Sequence, residues 1–443
     1  MNDVEPHKNL GEKNMKSVKL PPRFIRAVII LSTIGVAIHA YDLFALGIIS
    51  TEIWPYVFFK KATNSAIALS ILAYAAVLAG RPLGGVVFGH FGDRLGRKFS
   101  MFWTLLISGT AMLLITLMPP IGITAIILIA VLRFIQGMGG GGNLGSSIVL
   151  SYEYAEKGER AGYLLSFILA SIILGIILGV LGVLISERLE SEAFLLTYGW
   201  RILTGIGAVT VILSAYLRTR IVESLDFKEV LRSGEIEKNP IKTAFKKCWR
   251  NIILITLAIE YFPVILNFLL YPYSIELMEN SGYNESIVTL TFLIASISAY
   301  AMTIVGGHLA DKYGWKKVVL LSAIGSLASI PVLFIHSLFA LFPVYILSSI
   351  GWGAMGVIPS TFAVNLRNTS TGAVFGLISS FPAVLLIAVL PTLISIYGVT
   401  GSLIPVSIIT SVITIASIMS ILSIVRRDKE SPASRFLKTT IGE

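Results

Sequence analysis

Charge is what this chain has least of. Only 14% of its 443 residues are Asp, Glu, Lys or Arg, where an ordinary soluble domain has about a quarter. Hydrophobic residues make up 55%, so a polytopic membrane protein is the default reading. A single cysteine, Cys248, excludes an intrachain disulfide and a multi-cysteine metal site. The five histidines are dispersed and include no His-x-x-x-His pair, so no metal centre is expected, and no cofactor. Neither tail is long enough for an appended sensor domain. A membrane-embedded enzyme and a sensor are therefore both set aside.

What the chain does have is long apolar runs. A span needs about 20 apolar residues, and about twelve such runs fall near 27–50, 64–90, 99–119, 123–149, 160–186, 199–217, 251–272, 286–308, 318–336, 338–361, 371–394 and 400–425. The first lacks a small-residue cleavage site and reads as a retained helix rather than a signal peptide. The net charge of +10 could suggest nucleic acid, but the cations sit in loops and tails between apolar runs, so no nucleic-acid partner is expected. The tail before residue 27, the stretch 218–250 and the tail after residue 425 carry most of them. Opposite loops are richer in acids (Glu187, Glu190, Glu192, Glu276, Glu279, Glu285). The positive-inside rule then puts both termini in the cytoplasm. The expected organisation is a tail (1–26), a six-helix bundle (27–217), a cytoplasmic loop (218–250), a second six-helix bundle (251–425) and a tail (426–443).

One stretch organises the rest. Gly80 to Lys98 is an apolar, glycine-rich run that ends in Gly89-x-x-x-Asp93-Arg94-x-Gly96-Arg97-Lys98. A weaker copy, Gly307-x-x-x-Asp311-Lys312-x-Gly314-Trp315-Lys316, closes the second apolar run of the second half. Two copies at equivalent places imply an internal duplication. Glu153, Arg160 and Glu223-Ser224 lie in loops on the same side. With Asp93, Arg94, Arg97 and Asp311 they are candidates for a salt-bridge latch that closes the cytoplasmic side; the alternative is a solvated basic face.

Charges inside apolar runs are functional candidates by default. Asp42 lies well inside the first run, one turn beyond His39 and next to Tyr41. A carboxylate in a poorly solvated place can take up and release a proton in an accessible pH range. Asp42 is thus either the proton-coupling acid, with His39 as partner, or a permanent ion-pair partner. Arg81 suits a substrate carboxylate as a fork of donors, or else snorkels or pairs with Asp93. Arg133 lies midway through the fourth run and needs an anion there, either substrate or Asp42. The four glycines at 139–142 carry no Gly-Lys-Ser/Thr ending, so they serve close helix approach rather than a nucleotide. Glu260 is the one strong acid inside a second-half run, a second protonation candidate or a partner for Arg133. Pro359 and Pro382 read as kinks, and Asn365 and Arg367 as residues of the cytoplasmic rim.

Taken together these stretches resemble the metabolite:proton symporter branch of the major facilitator superfamily. The resemblance rests on Tyr41-Asp42-x-Phe44, Arg81-Pro82-Leu83-Gly84-Gly85, the Asp93 loop, Arg133-x-x-Gln136-Gly137, Glu153, Trp200-Arg201-Ile202 and Glu223-Ser224-x-x-Phe227. It is dense over about the first 230 residues and thin thereafter. The chain departs from the branch at His39-Ala40 and Asn143, where acids are usual, and at Trp315, where an arginine is usual. It also lacks the Gly-Pro pair of drug antiporters in the fifth run, which favours uptake over export.

The resemblance implies an all-α membrane protein of 12 helices in two pseudo-symmetric bundles, a secondary transporter rather than an enzyme, working as a monomer in the plasma membrane. Its expected partners are protons, a small substrate and the lipid bilayer. The expected activity is proton-coupled uptake of a small, anionic carboxylate. A neutral or zwitterionic solute, or phosphate, is the alternative. Proton coupling is assigned to Asp42, His39 and Glu260, and substrate binding to Arg133, Tyr41, Gln136, Arg81, Asn267 and Tyr271. The cytoplasmic gate is assigned to Asp93, Arg94, Arg97, Glu153, Arg160 and Asp311.

Overall fold

The computed structural model describes residues 22–155, 160–189, 191–270, 273–378 and 380–430. Every regular element among them is helical. The first half holds α1 (Pro22–Glu52), α2 (Asn64–Leu95), α3 (Arg97–Thr116), α4 (Ile123–Ala155), α5 (Ala161–Leu189) and α6 (Trp200–Arg218). Two short amphipathic helices follow, α7 (Leu225–Ser233) and α8 (Pro240–Lys247). The second half holds α9 (Trp249–Ile259), α10 (Glu285–Tyr313), α11 (Trp315–Ser329), α12 (Leu341–Ala354), α13 (Arg367–Ile378), α14 (Leu390–Gly401) and α15 (Leu403–Glu430).

Ten helical runs among the described residues are long and apolar enough to cross a membrane. Large apolar side chains such as Leu72, Ile127, Val209, Leu290, Leu321 and Val412 are exposed on their outer faces, as a bilayer demands and water would penalise. The runs expected at 251–272 and 371–394 are broken instead. The first passes from α9 through Tyr261–Val264, with Pro263 inside, into a π-helical turn, Ile265–Leu270. The second stops at Ile378, restarts at Phe381–Val384 on Pro382, and again carries a π-helical turn, Leu385–Val389. Proline removes a backbone donor and clashes with the preceding turn, and a π-turn absorbs the misfit.

Both copies of the Asp/cation motif fold alike. A single glycine joins each helix pair: Gly96, at φ 111°, turns α2 into α3, and Gly314, at φ 83°, turns α10 into α11. Only glycine adopts these angles without strain. The halves meet along two helix pairs in the same relation, α2 on α13 and α10 on α5. Each crossing is built on glycine. A Cβ on Gly85 would run into the carbonyl oxygen of Gly372, and one on Gly307 into that of Gly162. Backbone contact this close is how membrane helices gain packing energy without a hydrophobic drive.

Candidate functional site: a sealed end, a buried ion pair and an apolar cavity

The sealed end is built from α2, α3, α4, α7 and α13. Asp93, at the last turn of α2, caps the start of α13. Its Oδ1 accepts from Asn368 N at 3.0 Å, and its Oδ2 accepts from Thr369 N at 2.8 Å and Thr369 Oγ1 at 2.7 Å. A carboxylate there meets both the orphan amides and the positive end of the helix dipole. Arg97 is fully buried beside it. Its Nη1 lies 3.4 Å from Asp93, its Nη2 donates to Glu153 Oε1 at 3.1 Å, and Nη2 also reaches Val364 O at 2.6 Å. Arg367 closes the network from the other half, 3.3 Å from both Glu153 and Asp226. Glu223 accepts from the amides of Arg97 and Lys98, both at 3.1 Å, and so caps the start of α3. Burial pushes the Glu223 carboxyl above its ordinary value.

The second motif copy does the same with fewer parts. Asp311 accepts from Gly162 N at 2.6 Å and Tyr163 N at 2.8 Å, capping α5. Asp93, Arg97, Glu153 and Asp311 therefore stand at contacts between the halves, whereas Arg94 and Arg160 are exposed and stand apart from them. Arg367 belongs at the centre of the seal, not on a rim, because its run begins four residues earlier than hydropathy suggests. Arg218 is also placed differently from its reading as the first cation of a loop. It is 1% exposed, and its Nη2 donates to Leu31 O at 3.2 Å while Nη1 donates to Asn143 Oδ1.

Midway along the bundle, Asp42 on α1 faces Arg133 and Gln136, which lie one turn apart on α4. Arg133 Nη1 donates to Asp42 Oδ2 at 2.8 Å and to Gln136 Oε1 at 2.9 Å, and Gln136 Nε2 donates to the same Asp42 oxygen. All three side chains are buried. Asp42 Oδ1 and Arg133 Nε and Nη2 have no hydrogen-bond partner among the described residues, so the cluster holds an unused acceptor and unused donors. His39 packs on Gly140 and makes no hydrogen bond to Asp42. Tyr41 points elsewhere, its hydroxyl donating to Leu203 O at 3.0 Å. Glu260 is buried at the junction after α9 with Oε1 unpartnered, and Arg133 is already committed to Asp42. Tyr271 lies outside the described residues, as does the side chain of Asn267.

Beside this cluster is a cavity of about 460 Å³ between the halves. Ile71, Tyr74, Leu78 and Arg81 line it from one face of α2, at the 3-4-3 spacing of a helix stripe. Tyr74 is the partition: it faces the cavity, and the Arg133 guanidinium lies 5.0 Å from its ring centroid. Arg81 is half-buried on the wall and makes no hydrogen bond to any described residue, Asp93 included. Glu52, at the end of α1, also lines the cavity. Because α1 joins α2 at the end opposite Asp93, about 44 Å away along the helix, the cavity opens away from the seal. Pro382, read as a kink, both starts a helix and lines this wall. Tyr74 and Arg81 share a legible stripe; the aromatic wall opposite carried no signal beyond hydropathy.

Comparison with known proteins decides the family. The family model described as Major Facilitator Superfamily matches residues 32–391. The chain belongs to that superfamily. It is 32% identical to the inner membrane metabolite transport protein YhjE of Escherichia coli (strain K12), over 66% of this chain and 68% of that one. It is 29% identical to the shikimate transporter of the same organism, over 67% and 69%. The solved structure of the proton:xylose symporter XylE bound to 6-bromo-6-deoxy-D-glucose superposes with a TM-score of 0.72 at 18% identity, covering 91% of this chain and 96% of that one. This major facilitator protein is a membrane transporter and not an enzyme.

Proposed function

We propose that the chain imports a small carboxylate together with a proton, by alternating access around the cavity between its halves. The observation that carries this reading is the pairing of an unpartnered Arg81 on the cavity wall with a buried Asp42–Arg133 ion pair just behind Tyr74. Apart from Glu52 at the outer end of the wall, two arginines against one aspartate leave the empty site with one positive charge. A monocarboxylate on Arg81 cancels that charge, and a proton on Asp42 restores it. Loaded with one of each, the site has the same charge as when empty, so both forms can cross the bilayer interior on equal terms. Protonation also breaks the hold of Asp42 on Arg133, which links proton uptake to a rearrangement of α1 against α4.

Among the described residues a neutral solute finds fewer partners. Gln136 is tied to Asp42, Tyr261 shares a hydrogen bond with Ser322 at 2.8 Å, and Tyr273 donates to Val399 O at 2.9 Å. The sealed end is assigned to the cytoplasm, with both termini, since the motif copies and the cation-rich stretches fall there. The two halves, residues 27–217 and 251–425, are the rocking units, and 218–250 straps the seal through Glu223 and Asp226. The plasma membrane is its proposed location and the monomer its working form.

The test uses purified protein in liposomes, with internal pH recorded while carboxylates, sugars, amino acids and phosphate are added in turn. Carboxylate-triggered acidification, lost in Asp42→Asn and insensitive to a potassium–valinomycin potential, is expected. Carboxylate entry without acidification would end the proton reading, and acidification by sugars alone would end the carboxylate one.

A further inference from the structure

The cavity that carries the proposed transport also restricts what can occupy it. This inference deepens that reading and rests on it only for the identification of the cavity as the transport site. Arg81 is the single cation among the lining residues and Glu52 the single acid. The hydroxyls there are few, and two of them are already spent: Ser50 Oγ donates to Gly47 O at 2.7 Å and Thr51 Oγ1 to Ile48 O at 2.9 Å. The opposite wall is aromatic. Phe262 stacks on Trp352 with ring centroids 4.8 Å apart and planes 16° apart, and Phe375 meets Trp352 edge-on at 6.2 Å. Trp352 Nε1 donates to Leu169 O at 3.2 Å, so the indole is pinned in place. The three rings pack on one another and are 1–4% exposed, so they give the cavity a fixed apolar boundary that an apolar ligand can meet with little loss of side-chain freedom.

We propose that the cavity takes a monocarboxylate whose remainder is a compact apolar body, aromatic or alicyclic, with Arg81 holding the carboxylate and the Phe262–Trp352–Phe375 platform holding the body. Other solute classes fit less well. A sugar would bring several hydroxyls to a wall whose described residues offer almost no free donors or acceptors, and each unmet hydroxyl weakens binding. A tricarboxylate would place charges beyond the reach of one guanidinium fork, where they would be buried unpaired. A zwitterion would need an acid beside Arg81; Asp42 is committed to Arg133 behind Tyr74, and Glu52 stands at the outer end of α1 while Arg81 lies about 25 Å down α2 from that end.

The experiment is equilibrium calorimetry on the purified full chain in lipid nanodiscs, without any gradient, with benzoate, cyclohexanecarboxylate, citrate, xylose and glycine betaine as probes. The expected result is saturable binding of benzoate and cyclohexanecarboxylate, at least tenfold tighter than the other three. Arg81→Gln should weaken benzoate at least tenfold, Arg81→Lys by less, and Trp352→Ala about tenfold, with thermal melting confirming that each variant is folded. The proposal is overturned if citrate, xylose or betaine binds as tightly as benzoate. It is also overturned if Arg81→Gln leaves benzoate affinity within about threefold, or if folded protein binds neither apolar acid up to about 10 mM. Because no gradient is present, these outcomes are independent of proton coupling. Apolar acids that bind but cause no acidification would sink only the symport reading, and citrate that binds best and acidifies would sink only this one.

Discussion

Replacing Asp93 by asparagine should unlock the sealed end of the bundle. In the closed form Asp93 accepts three hydrogen bonds from α13 and faces Arg97 at 3.4 Å. Asparagine has one acceptor oxygen. If that oxygen serves Thr369 N and Oγ1, the amide NH₂ confronts both the Asn368 N–H and the Arg97 guanidinium. The variant then loses one charge-assisted bond and an ion pair, and leaves a buried donor unmet, a loss of about 3 kcal/mol. All the lost contacts except that to Arg97 cross between the halves, so the cost falls on the closed state. At 1.4 kcal/mol per tenfold, the open fraction should rise about 100-fold. Ser146 is a suitable reporter: it is 1% exposed, and Asn368 Nδ2 donates to its Oγ at 3.1 Å across the same seam. In a Cys248→Ser background, alkylation of Ser146→Cys should speed up about 100-fold when Asp93→Asn is added. A change of less than about threefold in folded protein would refute the claim that Asp93 holds this end shut.

Three further outcomes follow from the same geometry. Asp311→Asn removes a cap made, among the described residues, of two backbone bonds, so its effect on the same reporter should be smaller, about 10-fold for about 1.4 kcal/mol. Gly85→Ala forces α2 from α13 at their backbone contact; overpacking of about 1–3 kcal/mol should open the seal by about 10- to 100-fold or lower the melting temperature, and unchanged values of both would contradict the close crossing. Burial pushes the Cys248 thiol above its ordinary value, so less thiolate exists at a given pH; alkylation of the native protein should keep rising with pH after a free cysteine, near pKa 8.5, has levelled off, and a plateau at or below that point would count against it.

The parts of this architecture legible from sequence are those set by one segment at a time. Apolar length located the long helices, and the spacing from Gly89 to Lys98, repeated from Gly307 to Lys316, marked the two turns that Gly96 and Gly314 make. Asp42 and Arg133 are recognisable because a charge in an apolar run needs an opposite charge; the sequence leaves both substrate and Asp42 open as the anion for Arg133, and the structure places Asp42 2.8 Å from it. Partners that only the three-dimensional fold assembles were not legible. Nothing local says that Asp93 caps a helix at Asn368, 275 residues onward, or that Arg218 turns inward to Asn143. The polar run Asn368-Thr369-Ser370-Thr371 that opens α13 is a cue of sorts, since a helix start beneath a carboxylate needs small polar residues. The cavity wall is the hardest case: Phe262, Trp352 and Phe375 differ from lipid-facing aromatics only in direction, and hydropathy is blind to direction.

The departure at Trp315 explains how two similar locks come to differ in strength. Its counterpart in the first copy is Arg97, which ties Asp93, Glu153, Gly92 O and Val364 O into one buried knot. Trp315 is buried too, but an indole brings no charge, and among the described residues Asp311 bonds the two amides of α5. The contact between α10 and α5 therefore depends on helix capping and a glycine crossing, whereas that between α2 and α13 adds a desolvated arginine held by two carboxylates. Removing one member of such a network leaves the others buried without compensation, which makes it all-or-none. Capping by two amides is a weaker and more local hold. When the sealed end opens, the α5–α10 seam should thus yield first and the Arg97 knot last. A larger alkylation response to Asp311→Asn than to Asp93→Asn would reverse that order.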